Sequence, residues 1–385
     1  MKTEVAYVED SGIDDRYEAH DSIKVGEVDL AEPGVNEVHV DVKACGICHS
    51  DWHVVSGDNE VEHYPCALGH EGAGVVKATG EAVEHVEPGD HVALTWMPAC
   101  GKCEFCANGR QELCVRGAGM LQGPQMHGDY NMHLEDGTEV SQYAYLGCYA
   151  DEVVVHKDSV VSVREDVDLS IVALTGCGAA TGFGSATNRA NIEPGDTVVQ
   201  FGLGGLGASA VMAADYQGAD RIVVVDPLES KRKMAHEFGA THTVDPEEET
   251  PEEFVASLTD GRMADCAIFT GSIALPEEVG EAYATIRNGG ELVTVSSSPL
   301  DADRIDLPVR TGGLFNFTMG ERTVKGSLYG GWAPNYAIPR MLEMYKEGDL
   351  ALDKLVSQTY SLDEINQGYS DMLEGKNIRG VVEFS

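Results

Sequence analysis

The sequence predicts an α/β protein in which a smaller β-rich domain is joined to a doubly wound parallel sheet. Two observations predict it. Up to about residue 160 the chain runs in short alternating segments broken by Gly, Pro and Asp. From about residue 178 compact apolar runs alternate with helical stretches. A length of 385 residues gives room for two cores.

In the first part, "EVHVDVKA", "GAGVVKATG" and "PGDHVALTW" read as strands, punctuated by "EPG" turns at 32–34 and 87–89. In the second, "DTVVQFG", "DRIVVVD", "ADCAIFT" and "GELVTVS" suit strands buried on both faces. Between them "LESKRKMAHEFGA" and "PEEVGEAYATIRNGG" read as helices, which gives βαβ units. After about residue 335 come two more helical stretches. The second, "SLDEINQGYSDMLEG", opens with a capping box of Ser361 and Glu364, and a short strand "IRGVVEF" follows. Residues 116–149 are rich in Gly, Met and Tyr and lack periodicity. A loop that long needs a job, such as covering a cleft.

Acids outnumber bases 65 to 26, for a net charge of −39 spread along the chain. Such a surface repels nucleic acid and anionic lipid, so neither is an expected partner. It also repels itself, and salt would screen that repulsion. A salt-rich cytoplasm and a halophilic source are therefore expected. The start "MKTEVAYVEDSG" has charges and no apolar h-region, so no signal peptide is read. No stretch nears ~18 uninterrupted apolar residues, so no membrane span is read. The expected compartment is the reducing cytoplasm, where structural disulfides are rare.

"VVQFGLGGLGASAVMAADYQGADRIVVVD" holds Gly202-x-Gly204-x-x-Gly207 between a strand and a helix. Asp226 ends the next strand, 19 residues after Gly207. That context is what a dinucleotide fingerprint requires. The glycines let backbone approach a pyrophosphate at the positive end of the helix. Asp226 would accept from the adenosine ribose and repel a 2′-phosphate, which favours NAD over NADP. The competing reading is a glycine turn with no ligand.

"CGKCEFCANGRQELC" packs Cys100, Cys103, Cys106 and Cys114 into the spacing C-x2-C-x2-C-x7-C. Four thiolates close a tetrahedral shell around Zn²⁺ without an open position, which makes a structural site. An iron–sulfur cluster or redox-active thiols also fit the spacing. The other metal candidates are dispersed: Cys45, Cys48, His49, Asp51 and His53 in "ACGICHSDWH", His70 and Glu71 in "ALGHEGAG", and Cys177 in "LTGCGAATG". A catalytic zinc takes three protein ligands and keeps one open position. Spacing alone does not choose among them, and Cys45-x-x-Cys48 also suits a redox pair.

With "GICHSDWH", "GHEGAGVV", the four-cysteine segment, "GCGAATGFGSA", "FGLGGLG" and "NIRGVV", the chain resembles the zinc-containing medium-chain dehydrogenase/reductases, the alcohol dehydrogenases, over nearly its whole length. Its tail, "VVVDPLESKR" and residues 116–149 are most similar to the NDMA-dependent, or nicotinoprotein, branch. The resemblance implies a GroES-like β-rich catalytic domain over 1–178 and 331–385, with a structural-zinc lobe at about 98–116, and a Rossmann domain over 179–330. It implies two Zn²⁺ per chain: the lobe's, and a catalytic ion on Cys48, His70 and Cys177. Cys45 becomes a neighbour, Glu71 a carboxylate able to approach the metal, and Asp51 the group that orients His70. Ser50 would meet the alcohol and His53 would pass its proton to solvent. NAD(H) would lie on Gly202, Gly204, Gly205, Leu206, Gly207 and Asp226, with Lys231 near the adenosine ribose and Thr181 near the nicotinamide. His49 and Arg379 would contact the pyrophosphate, and Trp96 would narrow the substrate pocket. Pro227, directly after Asp226, departs from the family.

The implied activity is reversible hydride transfer between a primary or secondary alcohol and NAD, giving an aldehyde or ketone, in a homo-oligomer (dimer or tetramer). Other readings are a nicotinoprotein with an external acceptor, a thiol-adduct formaldehyde dehydrogenase, and a non-catalytic nucleotide-sensing zinc protein. The scarcity of Lys and Arg weighs against the thiol adduct, and the set of ligands with Ser50 and His53 weighs against the sensor.

Overall fold

The computed structural model describes residues 1–12, 22–297 and 314–385. The chain divides into two units, Met1–Ala180 with Trp332–Ser385, and Thr181–Gly331. In chain order the first stretch carries β1 (Lys2–Val8), β2 (Lys24–Leu30), β3 (Glu37–Gly46), α1 (His49–Ser56), β4 (Cys66–Ala67), β5 (Gly72–Thr79), β6 (His91–Leu94), α2 (Glu104–Ala107), β7 (Met132–His133), β8 (Glu139–Gln142), β9 (Glu152–His156), β10 (Val160–Ser162), α3 (Leu169–Thr175) and α4 (Gly178–Gly184). Next come β11 (Thr197–Phe201), α5 (Gly205–Tyr216), β12 (Arg221–Val225), α6 (Glu229–Ala235), β13 (His242–Val244), α7 (Pro251–Leu258), β14 (Ala264–Phe269), α8 (Pro276–Ala284), β15 (Ile286–Thr294), α9 (Leu314–Gly320) and β16 (Thr323–Gly326). The tail supplies α10 (Pro334–Glu347), β17 (Val356–Tyr360), α11 (Ile365–Leu373) and β18 (Arg379–Glu383).

In the β-rich unit, β1, β2, β7, β8 and β4 close a barrel. A second sheet runs β10-β6-β5-β3-β18-β17, with β9 also paired to β3. Val38, Val40 and Val42 of β3 are fully buried, as are Val153, Val154 and Val155 of β9, so the second sheet has apolar contacts on both sides. Burying such side chains stabilises by about 1.5–3 kcal/mol each. The tail enters this unit through β18, which pairs with the end of β3, Val381 opposite Gly46.

The other unit is a six-stranded sheet in the order β13-β12-β11-β14-β15-β16. Every pairing in it is parallel. Order reverses at β11, whose carboxyl end leads into Gly202, and ligands of open α/β sheets bind at such a switch point.

Two expectations are corrected. Helix α8 stops at Ala284, and "IRNGG" belongs to β15, because Ile286 pairs with Ala264 of β14 and is fully buried. Residues 116–149 are not one loop, for β7 and β8 lie within them and complete the barrel. Strands of two and four residues are too short to display alternation. Strand β17 gave no signal either, and it pairs parallel to β18. The capping box is present, with the Glu364 carboxylate accepting from Ser361 N at 2.9 Å.

Candidate active site

Cys48 stands at the turn from β3 into α1, as the residue before the helix, with an extended backbone. His70 and Glu71 precede β5, and Cys177 falls between α3 and α4. The fold brings one ligand atom from each of Cys48, His70, Glu71 and Cys177 within 4.8 Å of the others, all buried. Two thiols, an imidazole and a carboxyl gathered in a dry site suit a cation that takes their charge.

The surroundings fix each group. Asp51 Oδ2 lies 2.8 Å from His70 Nδ1, and Asp51 Oδ1 accepts from Gly69 N at 2.7 Å. This leaves His70 Nε2 as the ring's ligand atom, the arrangement metal-bound histidines usually need. Gly69 has φ +95, and a side chain there would strike the Tyr149 backbone. Glu71 Oε1 accepts from Arg379 Nη2 and, at 3.2 Å, from Gly178 N. Arg379 Nη1 donates to Ile47 O at 2.9 Å. Glu71 Oε2 has no hydrogen-bond partner among the described residues. The edge of Tyr143 meets the His70 ring at 87°, centroids 5.5 Å apart.

Charge follows geometry. The Cys177 thiol, donating to Cys48, draws Cys48 well below the ordinary thiol range, with Arg379 and His70 helping against burial. The same bond, with burial, pushes Cys177 well up. Burial opposes a proton on His70, yet Asp51 and Cys48 raise it well above ordinary. Burial lifts Glu71 to about 7 although Arg379 pulls the other way. A Zn²⁺ would replace the protons these ligands share.

Ser50 Oγ lies 3.7 Å from Cys48 Sγ. His53 is 5% exposed, and its Nδ1 is 3.7 Å from Asp58 Oδ2. Nothing in the local sequence pattern marks Asp58 for this place. The His49 and His53 rings are 6.4 Å apart. Trp96 is half-buried against the apolar core of the β-rich unit. Arg379, expected against the pyrophosphate, is buried and held by Glu71 and Ile47. It must balance the Glu71 carboxylate in a dry site.

In the lobe, the four sulfurs also lie within 4.8 Å of one another. Cys100 and Cys106 are 4.0 Å apart, Cys103 and Cys114 3.9 Å. Zn–S bonds of about 2.3 Å in a tetrahedron put sulfurs about 3.8 Å apart, so the group fits. All ten cysteines are free thiols. Backbone N–H groups of Cys106 and Val115 draw Cys103 down to about 6. Burial pushes Cys106 up to about 12.

In the parallel-sheet unit, Gly202 has φ +83, and a side chain on Gly207 would strike Gly202 O. Gly204 precedes α5, which starts with Gly205 and Leu206, and no side chain among the described residues caps it. Its first N–H groups are therefore open to an anion. Asp226 Oδ2 accepts from Leu203 N at 2.8 Å and ties the loop to the end of β12. Thr181 is 5% exposed, and its hydroxyl finds no partner among the described residues. Lys231 sits half-exposed on α6. These residues fit a dinucleotide.

The family model described as alcohol dehydrogenase GroES-like domain matches residues 34–165, and that described as zinc-binding dehydrogenase matches residues 205–347. The NDMA-dependent alcohol dehydrogenase of Amycolatopsis methanolica is 38% identical over 385 residues, 100% of each chain. Alcohol dehydrogenase B of Mycobacterium tuberculosis is 39% identical over 363 residues, 94% of this chain and 95% of its own. Benzyl alcohol dehydrogenase of Acinetobacter calcoaceticus has a solved structure similar to this one, with TM-score 0.89 at 27% identity over 100% of both chains. The chain therefore belongs to the zinc-binding alcohol dehydrogenase family of oxidoreductases.

Proposed function

We propose that this chain interconverts small alcohols and their aldehydes or ketones, with NAD(H) as hydride carrier. One observation carries the reading: Cys48, His70, Glu71 and Cys177 converge in a buried cluster beside Ser50. Two cysteines and a histidine are the donor set for which alcohol dehydrogenases are themselves a standard example of a catalytic zinc site. Zn²⁺ on Cys48, His70 and Cys177 would supply Lewis acidity, making the alcohol hydroxyl a better acid.

The chain's own residues do the rest. Ser50 Oγ accepts the alcohol's hydroxyl proton as it passes its own on toward His53, with Asp58 beside the ring to balance the imidazolium. Asp51 holds His70 in its ligating tautomer. Glu71, neutralised by Arg379, tunes the charge of the cluster. The Gly202–Gly207 loop and the α5 N-terminus would bind the pyrophosphate, and Asp226 would hold the ribose hydroxyls and repel a 2′-phosphate.

An assay of the zinc-loaded protein with an alcohol panel and either NAD or NADP tests this through the absorbance of reduced nicotinamide. Turnover with NAD well above NADP is expected. Turnover with NADP alone would overturn the coenzyme assignment.

A second reading has one observation in its favour: a relative that matches the whole chain is named NDMA-dependent. In that case NAD(H) stays bound and an external acceptor reoxidises it. Denaturing protein purified without added coenzyme, and finding near-stoichiometric nucleotide, would establish this form. The acidic surface supports a salt-rich cytoplasm as the working medium. Melting temperatures that rise with KCl are the expected result. Assembly as a homo-oligomer follows the family habit, and light scattering would test it.

A further inference from the structure

The turn after β12 has a construction that the motif reading does not require. Asp226 is 4% exposed and reaches two ways. Its Oδ2 accepts from Leu203 N in the glycine loop at 2.8 Å, and its Oδ1 from Leu228 N at 2.9 Å. Pro227 follows it and has no N–H. Two successive carbonyls, of Asp226 and Pro227, need a donor, and Arg232 Nη1 supplies it at 2.7 and 2.6 Å. Arg232 Nη2 lies 2.7 Å from Asp245 Oδ2, with side-chain exposures of 16% and 18%. Asp245 follows β13 and is itself fixed, because its Oδ1 accepts from Glu247 N at 3.0 Å. The backbone completes the ring, with Asp226 N donating to Val244 O at 3.3 Å.

We propose that Arg232 is a positioning residue that clamps the Asp226–Leu228 turn in its NAD-binding form, and that Asp245 keeps its guanidinium from a 2′-phosphate. The inference rests on the NAD reading above and deepens it. Only a planar fork can span two carbonyls with one nitrogen and a carboxylate with the other, so lysine is no substitute. Without the clamp the turn samples other conformations, and apparent affinity falls with the competent fraction. A competent fraction of about one tenth raises Kd about tenfold. NADP sites place an arginine near this point to meet the extra phosphate. Here the arginine is present but turned to Asp245 and the carbonyls.

The test uses the full-length zinc-loaded protein, freed of nucleotide, titrated with NADH and with NADPH by fluorescence. Wild type is expected to prefer NADH. Arg232→Met and Arg232→Lys should both raise the NADH Kd about tenfold, and raise the NAD KM more than they lower kcat. The alcohol KM should stay put, which a general structural fault would not allow. Asp245→Asn should lower the NADPH-to-NADH Kd ratio by about threefold or more. If Arg232→Met does not fold, the other two variants still decide. Folded Arg232 variants with an NADH Kd within about twofold of wild type would overturn the clamp. An unchanged ratio in Asp245→Asn would overturn the withholding role. Wild type that binds neither nucleotide would instead overturn the NAD reading itself, and the inference with it.

Discussion

Two groups of sulfur ligands in one unit are built in opposite ways. Cys100, Cys103, Cys106 and Cys114 come from fifteen consecutive positions, are all thiols, and include two partly exposed members. Cys48, His70 and Cys177 come from three separate segments, mix donor types, and lie buried with Glu71. A local set closes a short loop at small entropic cost. The dispersed set exists only once α1, the start of β5 and the α3–α4 junction have been packed together. The lobe therefore suits a permanent staple, whereas the dispersed set is as precise as the fold that assembles it.

Breaking each set should separate chemistry from stability. Cys177→Ser should cut kcat/KM by roughly a thousandfold, since the Lewis-acid contribution is several kcal/mol. Elemental analysis should find half the zinc gone, with a modest change in melting temperature. Cys106→Ser should do the reverse. Loss of the lobe's metal costs several kcal/mol, and at about 2–4 °C per kcal/mol the melting temperature should drop by roughly 10 °C. Freshly prepared protein should keep most of its turnover. Equal loss of activity in both variants would erase the distinction. Asp51→Asn sharpens it further, weakening metal affinity at the mixed set about 10–100-fold. A chelator titration that reads both sites should show the lobe unmoved.

The lobe was legible in the sequence because its spacing is its geometry. The glycine loop after β11 was legible for the same reason, strand, glycines and helix being contiguous. For the dispersed set the residue types pointed to metal, but Cys45 and Cys48 could not be told apart by spacing. The fold separates them, since Cys48 stands at the open turn and Cys45 pairs within β3 opposite Val382. Asp58, Tyr143 and the Arg232–Asp245 pair were invisible, because each acts through contacts that only the folded chain creates. Strands β7 and β8 were missed because barrel closure, and not their own pattern, makes them strands.

The smallest expected effect serves as a control remote from both sulfur sets. Asp265 on β14 accepts from Thr197 N at 2.9 Å and pairs with Arg262 and Arg287 at 2.6 and 2.7 Å. Burial would raise this carboxyl, but the hydrogen bonds from Arg262, Thr197 and Arg287 hold it down at about 2. A depressed acid stabilises the fold above its unfolded value of about 3.9 and loses that contribution as pH falls through about 2. Urea midpoints of wild type should fall over that window, and more steeply than those of Asp265→Asn.

Glycine crowds the buried set. A side chain at Gly46 would collide with Glu71, at Gly69 with the Tyr149 backbone, at Gly176 with Leu94 O, and at Gly178 with Arg379. For anyone diversifying this enzyme, these four codons are a frame to leave fixed, because a methyl group at any of them displaces a ligand or its support. Variation belongs around Tyr143, whose ring edge meets His70, and can be tried at Trp96. A library laid out that way spends its members outside the cage that would hold the metal and leaves that cage alone.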